Sequence, residues 1–153
     1  MSRIFFSAGE CSGDIHGANL IRAVRAQAPS VVCEGLGGPR MESAGMALRY
    51  DLASHAIMGF SEVVKSFKTI RRIFLDTVAY LEQTRPDCLV VIDYPGFNIR
   101  LAQRAHALGI PVVYYISPQV WAWKKKRIHT IAETARKVLV ILPFEEALYQ
   151  AVG

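Results

Sequence analysis

Apolar positions along this chain follow two rhythms. Mainly apolar runs of strand length occur at Arg3 to Ala8, Val31 to Leu36, Cys88 to Asp93, Val112 to Ile116 and Lys137 to Leu142, the one at Cys88 to Asp93 unbroken up to its closing carboxylate. Runs of this kind, without alternation, are expected of strands buried on both faces of a parallel sheet. Between them the apolar residues fall at three- and four-residue steps. Ile15, Ala18, Leu20, Ile21 and Val24 predict a helix from Asp14 to Gln27, with Asp14 as its N-cap. A short helix is expected over Arg40 to Ala44, after the Gly37-Gly38-Pro39 break, and residues 47 to 60 read as irregular. Ser61 to Gln83 is the longest predicted helix, striped by Val63, Val64, Phe67, Ile70, Phe74, Val78 and Leu81. Helices over Ile99 to Leu108 and Lys124 to Ala135 follow, and Pro143 opens a last one at its favoured first position. Strands alternate with helices throughout, so the fold class is α/β with a mainly parallel sheet.

Length and composition narrow this picture without naming a function. The 153 residues suit one domain, which at that size buries roughly 70% of its unfolded surface. A hydrophobic content of 52% places the chain far from disorder. A net charge of +5 admits a nucleic acid, an anionic membrane surface or a phosphorylated substrate as partner. Cys11, Cys33 and Cys88 are odd in number and lack metal-ligand spacing, which fits a reducing cytosol and no disulfide framework. The apolar run before Glu10 is too short for a signal peptide, and the longest uncharged stretch, Leu108 to Trp123, carries Pro111 and Pro118, so it reads as strand plus loop and not as a membrane span. The chain ends just after a helix, an expected end for one domain of a longer protein.

Three segments carry candidate chemistry. YYISPQVWAWKKKR, residues 114 to 127, sets four aromatic side chains and four cations at the mouth of a strand. Ligands of α/β domains sit there, and this mouth suits one with apolar and anionic parts. GECSGDIHG follows the first strand. Its glycines, Gly9, Gly13 and Gly17, fall every four residues, which is not the dinucleotide spacing. Gly9 and Gly13 permit a sharp turn and close approach to a ligand, and Glu10 and Asp14 suit sugar hydroxyls better than an anion; a plain capped turn is the other reading. Asp93 ends the most apolar strand, where partial burial would raise its pKa and improve it as a general base; a structural Asp bonding loop amides is the alternative.

The remaining signals are weaker. His16, His55, His106 and His129 show no ligand pairing, and only His16 lies beside a candidate loop. The helix over 61 to 83 either packs on its own sheet or lays its apolar stripe on a membrane, with Lys65, Lys68, Arg71 and Arg72 toward anionic head groups. Nucleic acid is disfavoured, because the basic residues are split between distant segments.

Taken in order, GECSGDIHGANLI, GLGGPRM, MGFSEVV, VIDYPGFN, YYISPQVWAWKKKR and ILPFE resemble the successive motifs of the lipid-A-disaccharide synthases. The resemblance implies a Rossmann-like three-layer domain, the N-terminal half of a GT-B glycosyltransferase. It implies transfer of 2,3-diacylglucosamine from UDP to 2,3-diacylglucosamine 1-phosphate in lipid A synthesis, on the cytoplasmic face of the inner membrane, with no cofactor and no required metal. By position, Asp93 is then the expected catalytic base and Glu10 a second residue tied to activity. Gly9, Ser12, Gly13, Asp14, Asn98, Ser117, Gln119 and Trp121 are expected substrate contacts. Met58, Phe60, Val63, Val64, Phe67 and Ile70 are expected membrane contacts. The resemblance also implies a C-terminal UDP-sugar domain as partner, which this chain does not contain. It is then the acceptor-side, membrane-facing half, inactive alone. A stand-alone lipid-binding or partner-docking module is the alternative from another class.

Overall fold

The computed structural model describes residues 2–55, 63–116, 127–139 and 143–151. Six strands, β1 (Arg3–Ala8), β2 (Val32–Leu36), β3 (Ala47–Tyr50), β4 (Cys88–Ile92), β5 (Val112–Tyr115) and β6 (Lys137–Leu139), form one parallel sheet in the order β3-β2-β1-β4-β5-β6. The helices are α1 (Cys11–Gln27), α2 (Pro39–Ser43), α3 (Leu52–His55), α4 (Val63–Thr84), α5 (Pro95–Ala107), α6 (Arg127–Thr134) and α7 (Pro143–Gln150). Successive strand residues point to opposite faces. Phe5, Leu89, Val91, Val112 and Tyr114 pack under α4, α5 and α6, whereas Phe6, Ala8, Cys33, Val90 and Ile92 pack under α1 and α2. Every apolar position of the two central strands is thus consumed, which is why they read as continuous runs. The result is the three-layer, Rossmann-like arrangement that the alternation of elements predicts.

Three local expectations are corrected. The first helix starts at Cys11 with Glu10 at its N-cap, and Asp14 lies inside its first turn, its N–H donating to the Glu10 carbonyl at 2.9 Å. The Asp14 carboxylate instead caps α2 from outside, accepting from the N–H groups of Met41 at 2.9 Å and Arg40 at 3.2 Å. Helix α5 begins at Pro95, four residues before the expected start. Proline is tolerated there because the first helical turn has no partner for its N–H. Residues 47–55 are not irregular but hold β3 and α3. As an edge strand of alternating exposed and half-buried residues, β3 needs no continuous apolar run.

Helix α4 resolves its two sequence readings position by position. Ile73, Thr77 and Leu81 are buried, and Ile70, Phe74 and Val78 pack against the same core. Phe67 is 69% exposed and Leu75 48% exposed. The helix is a core element over most of its length, and it leaves apolar surface in solvent at Phe67, near its start, and at Leu75, in its middle.

Candidate active site

The order of the sheet decides where a site can form. Helix α1 leaves β1 over one face and α5 leaves β4 over the other, while β1 and β4 are neighbours. Diverging connections open a crevice at the C-terminal ends of those two strands, the position where open α/β sheets bind ligands. Ala8 pairs with Ile92, so Gly9-Glu10 and Asp93-Tyr94 leave the sheet side by side. Two segments more than eighty residues apart in sequence therefore deliver Glu10 and Asp93 to one crevice.

The loop carrying Asp93 has unusual backbone geometry. Asp93 and Tyr94 both have positive φ, 45° and 48°, a conformation that costs roughly 1–2 kcal/mol per non-glycine residue. A dense set of hydrogen bonds holds it. The Asp93 carbonyl accepts from the Tyr114 hydroxyl and the Asn98 side-chain amide, each at 2.9 Å. The Asp93 N–H donates toward the Ile116 carbonyl at 3.2 Å. The Asn98 amide also donates to the carbonyls of Ser7 and Ile92 at 3.1 Å, and Ser7 Oγ donates to Asn98 Oδ1 at 2.6 Å. The ends of β1 and β4 are bolted together through one buried side chain.

The electrostatics follow from this enclosure. Burial raises the Asp93 carboxyl above its ordinary value, partly offset by the hydrogen bond it accepts from the Tyr94 N–H. Glu10 is raised as well, first by burial and then by repulsion from Asp93. Burial and the charge of Glu10 push the Tyr94 phenol up. A carboxylate held less acidic than usual is a stronger base.

The other sequence-predicted residues divide. Ser12 is exposed in the first turn of α1, two residues after Glu10. Gly13 is buried, and a Cβ there would lie 3.3 Å from the Ala8 Cβ, so it sets how closely α1 approaches β1. Asp14 is 4% exposed and occupied with α2, and Asn98 is 0% exposed and occupied with three carbonyls. Both are corrected from substrate contacts to supports of the loops. Gly9 is buried beneath the Tyr94 ring and does not line the crevice as a bare backbone. Tyr114, read as part of an aromatic mouth, is a core residue at 0% exposure. Ser117, Gln119 and Trp121, like Met58 and Phe60, lie outside the described residues, as do the side chains of Val63 and Val64.

A groove of about 450 Å³ opens beside the crevice, between α4 and α5. Its floor is Phe67, Ile70, Phe74, Leu75 and Phe97, its rim carries Arg71, Arg100 and Arg104, and Tyr94 stands between it and Glu10. No acid is among these described lining residues. The guanidinium of Arg104 lies 6.0 Å from the Phe74 ring centre. Sequence reading missed Ser7, Tyr94, Arg100 and Arg104. For the arginines the available signal was their spacing of four on a helix that follows the Asp93 loop. Among the described residues no group of three or more His, Cys, Asp or Glu is placed to hold a metal ion, and no helix is long and apolar enough to cross a membrane.

Comparison with known proteins supplies the family. In sequence the chain is 44% identical over 153 residues to lipid-A-disaccharide synthase 1 of Legionella pneumophila (strain Philadelphia 1), covering 99% of this chain and 40% of that protein. It is 46% identical over 151 residues to lipid-A-disaccharide synthase of Trichlorobacter lovleyi, covering 99% of this chain and 39% of that protein. The chain thus spans about 40% of the length of these curated relatives. In structure it resembles the UDP-GlcNAc 2-epimerase of Neisseria meningitidis bound to UDP-GlcNAc, with a TM-score of 0.54 at 12% identity, over 90% of this chain and 38% of that one; this likeness is one of fold. The family model described as lipid-A-disaccharide synthetase matches residues 4–153, and the chain therefore belongs to the lipid-A-disaccharide synthetase family.

Proposed function

We propose that this chain is the acceptor-side domain of a glycosyltransferase in lipid A synthesis. The complete enzyme, with a C-terminal domain, joins the sugar of UDP-2,3-diacylglucosamine to 2,3-diacylglucosamine 1-phosphate, giving the disaccharide 1-phosphate and UDP; this chain alone is inactive. The observation that carries the reading is the pairing of a partly buried, less acidic Asp93 with an adjacent apolar groove rimmed by arginines. Asp93 takes the proton of the acceptor hydroxyl as its oxygen bonds to the anomeric carbon. The bond from that carbon to the UDP oxygen breaks, and UDP leaves with the electron pair. Attack from the face opposite UDP inverts the configuration. General-base assistance of this kind contributes about 10²–10⁴-fold. Glu10, on the neighbouring loop, orients the acceptor or balances positive charge developing on the donor sugar.

The groove fits an acylated, phosphorylated sugar. Its aromatic and aliphatic floor takes acyl chain, and the Arg100 and Arg104 rim faces the anion. The exposed Phe67 and the half-buried Ile70 at the start of α4 are the described part of a membrane-contacting end, to which the sequence adds Met58, Phe60, Val63 and Val64, and this makes the protein peripheral at the inner face of the inner membrane. The second wall of the crevice, with the UDP contacts, belongs to a C-terminal domain.

The test is UDP release from donor and acceptor by this chain combined with the C-terminal domain of a relative, wild type against Asp93→Asn. Loss of release in the variant, with acceptor binding kept, is expected. Wild-type turnover by Asp93→Asn would reject Asp93 as the base. Acceptor binding without turnover under any pairing would favour a lipid-binding module instead.

A further inference from the structure

We infer that Tyr94 is a positioning residue for Asp93, and that Gly9 is the seat its ring requires. Three observations meet at this residue. A Cβ at position 9 would fall inside the Tyr94 ring, so the ring occupies the space that the missing side chain leaves on the β1 loop. Tyr94 caps α5 with φ 48° and ψ 62°, and its carbonyl accepts from the N–H groups of Asn98 at 3.0 Å and Phe97 at 3.3 Å. Its own N–H donates to the Asp93 carboxylate.

These contacts form a chain of cause. Seating the ring on Gly9 fixes the orientation of the Tyr94 peptide plane. That plane carries the N–H which the Asp93 carboxylate accepts, so the ring sets the direction in which the carboxylate points. The same ring stands between the carboxylate pair and the apolar groove, 6.0 Å from Phe97 and tilted by 31°. A residue with left-handed backbone is costly unless its surroundings over-determine it, and such residues concentrate at sites that need pre-organisation. Asn98 and Tyr114 determine the Asp93 side of the turn; the Gly9 seat determines the Tyr94 side.

The kinetic arm of the test rests on the glycosyltransferase reading, and a titration arm does not. In the full-length protein, Tyr94→Gly accepts the left-handed backbone without strain but loses the ring. It is expected to lower kcat by roughly 10- to 100-fold, with a smaller rise in KM because Tyr94 also lines the groove, the signature of misplaced chemistry. Tyr94→Phe keeps the ring and is expected to recover most of that loss. Gly9→Ala expels the ring, and the double variant Gly9→Ala/Tyr94→Gly should be no slower than the worse single one, because both changes break one coupled contact. Asp93 is also followed directly by carboxyl carbon-13 titration. Among the described residues, Glu10, Tyr94 and Tyr114 are titratable groups that bear on it. Opening the ring's place to water lowers its midpoint and loosening the Tyr94 N–H bond raises it; burial is the larger influence, so a net fall is expected in Tyr94→Gly and none in Tyr94→Phe. A Tyr94→Gly protein with wild-type kcat, or with an unmoved Asp93 midpoint, overturns the inference. Should wild type fail to transfer sugar, the titration alone decides, and Tyr94 still stands or falls by it.

Discussion

Replacing Asn98 by alanine tests whether one buried amide holds the active crevice together. Asn98 is 0% exposed. Its side-chain nitrogen faces the carbonyls of Ser7, Ile92 and Asp93 at 3.1, 3.1 and 2.9 Å, and its oxygen accepts from Ser7 Oγ at 2.6 Å. An amide nitrogen has two hydrogens, so three acceptors share them. Truncation removes this set and leaves the Ser7 hydroxyl without its acceptor, while Asp93 keeps the Tyr114 hydroxyl. Each net hydrogen bond is worth about 1 kcal/mol, and each buried group left unpaired costs about 1–3 kcal/mol. Allowing for partial relaxation, Asn98→Ala is expected to cost about 3–4 kcal/mol, near the top of the usual range for one substitution. Urea unfolding followed by circular dichroism reads this as a lower midpoint at unchanged m. A cycle with Ser7→Ala should return a coupling of about 1–2 kcal/mol, since the two side chains share one bond. A loss below about 1 kcal/mol, or a coupling near zero, would refute the view that this amide joins β1 to β4.

Asp93→Asn is expected to abolish most turnover and yet raise thermal stability by about 0.5–1 kcal/mol, which for a domain of this size moves Tm up by roughly 1–4 °C; an unchanged or lower Tm in calorimetry would contradict the burial of a repelled charge. The pH dependence has a defined sign. Asp93 and Glu10 titrate higher in the folded than in the unfolded chain, so above the ordinary carboxylate value of about 4 the folded state holds the extra protons, and stability falls as pH rises through the raised folded values. The wild-type minus Asp93→Asn difference in unfolding free energy should show this fall, and a flat difference would remove it. Phe67→Ser with Leu75→Ser should leave the unfolding midpoint nearly unchanged, because both side chains are largely exposed, and should weaken binding to anionic liposomes about tenfold or more, from the roughly 1.5–3 kcal/mol that a buried large apolar side chain contributes. Ile73→Ser, on the core side of the same helix, should instead unfold the domain, and equal behaviour of the two variants would show that α4 has no free face.

The sequence determined what depends on neighbours along the chain. Runs with little or no polar interruption specified β1, β4 and β5, because a strand covered on both faces needs apolar residues at nearly every step, while β2 carries Glu34, whose carboxylate is held by Arg3 and Tyr80. Asp93 stood out because a carboxylate closing the most apolar strand sits where the strand leaves the core. The tertiary structure decided what depends on residues far apart in sequence. Ser7 and Asn98 lie 91 positions apart, and nothing local in FFSA or GFN says that they bond. Asp14 carried the mark of a cap, and it is one, but for a helix 26 residues away. Gly9 read as room for a ligand and proved to be room for Tyr94. Periodicity reports which face of an element is buried; it carries no information on which element covers that face. The order of the strands, set by how each crossover packs back on the sheet, placed Glu10 beside Asp93.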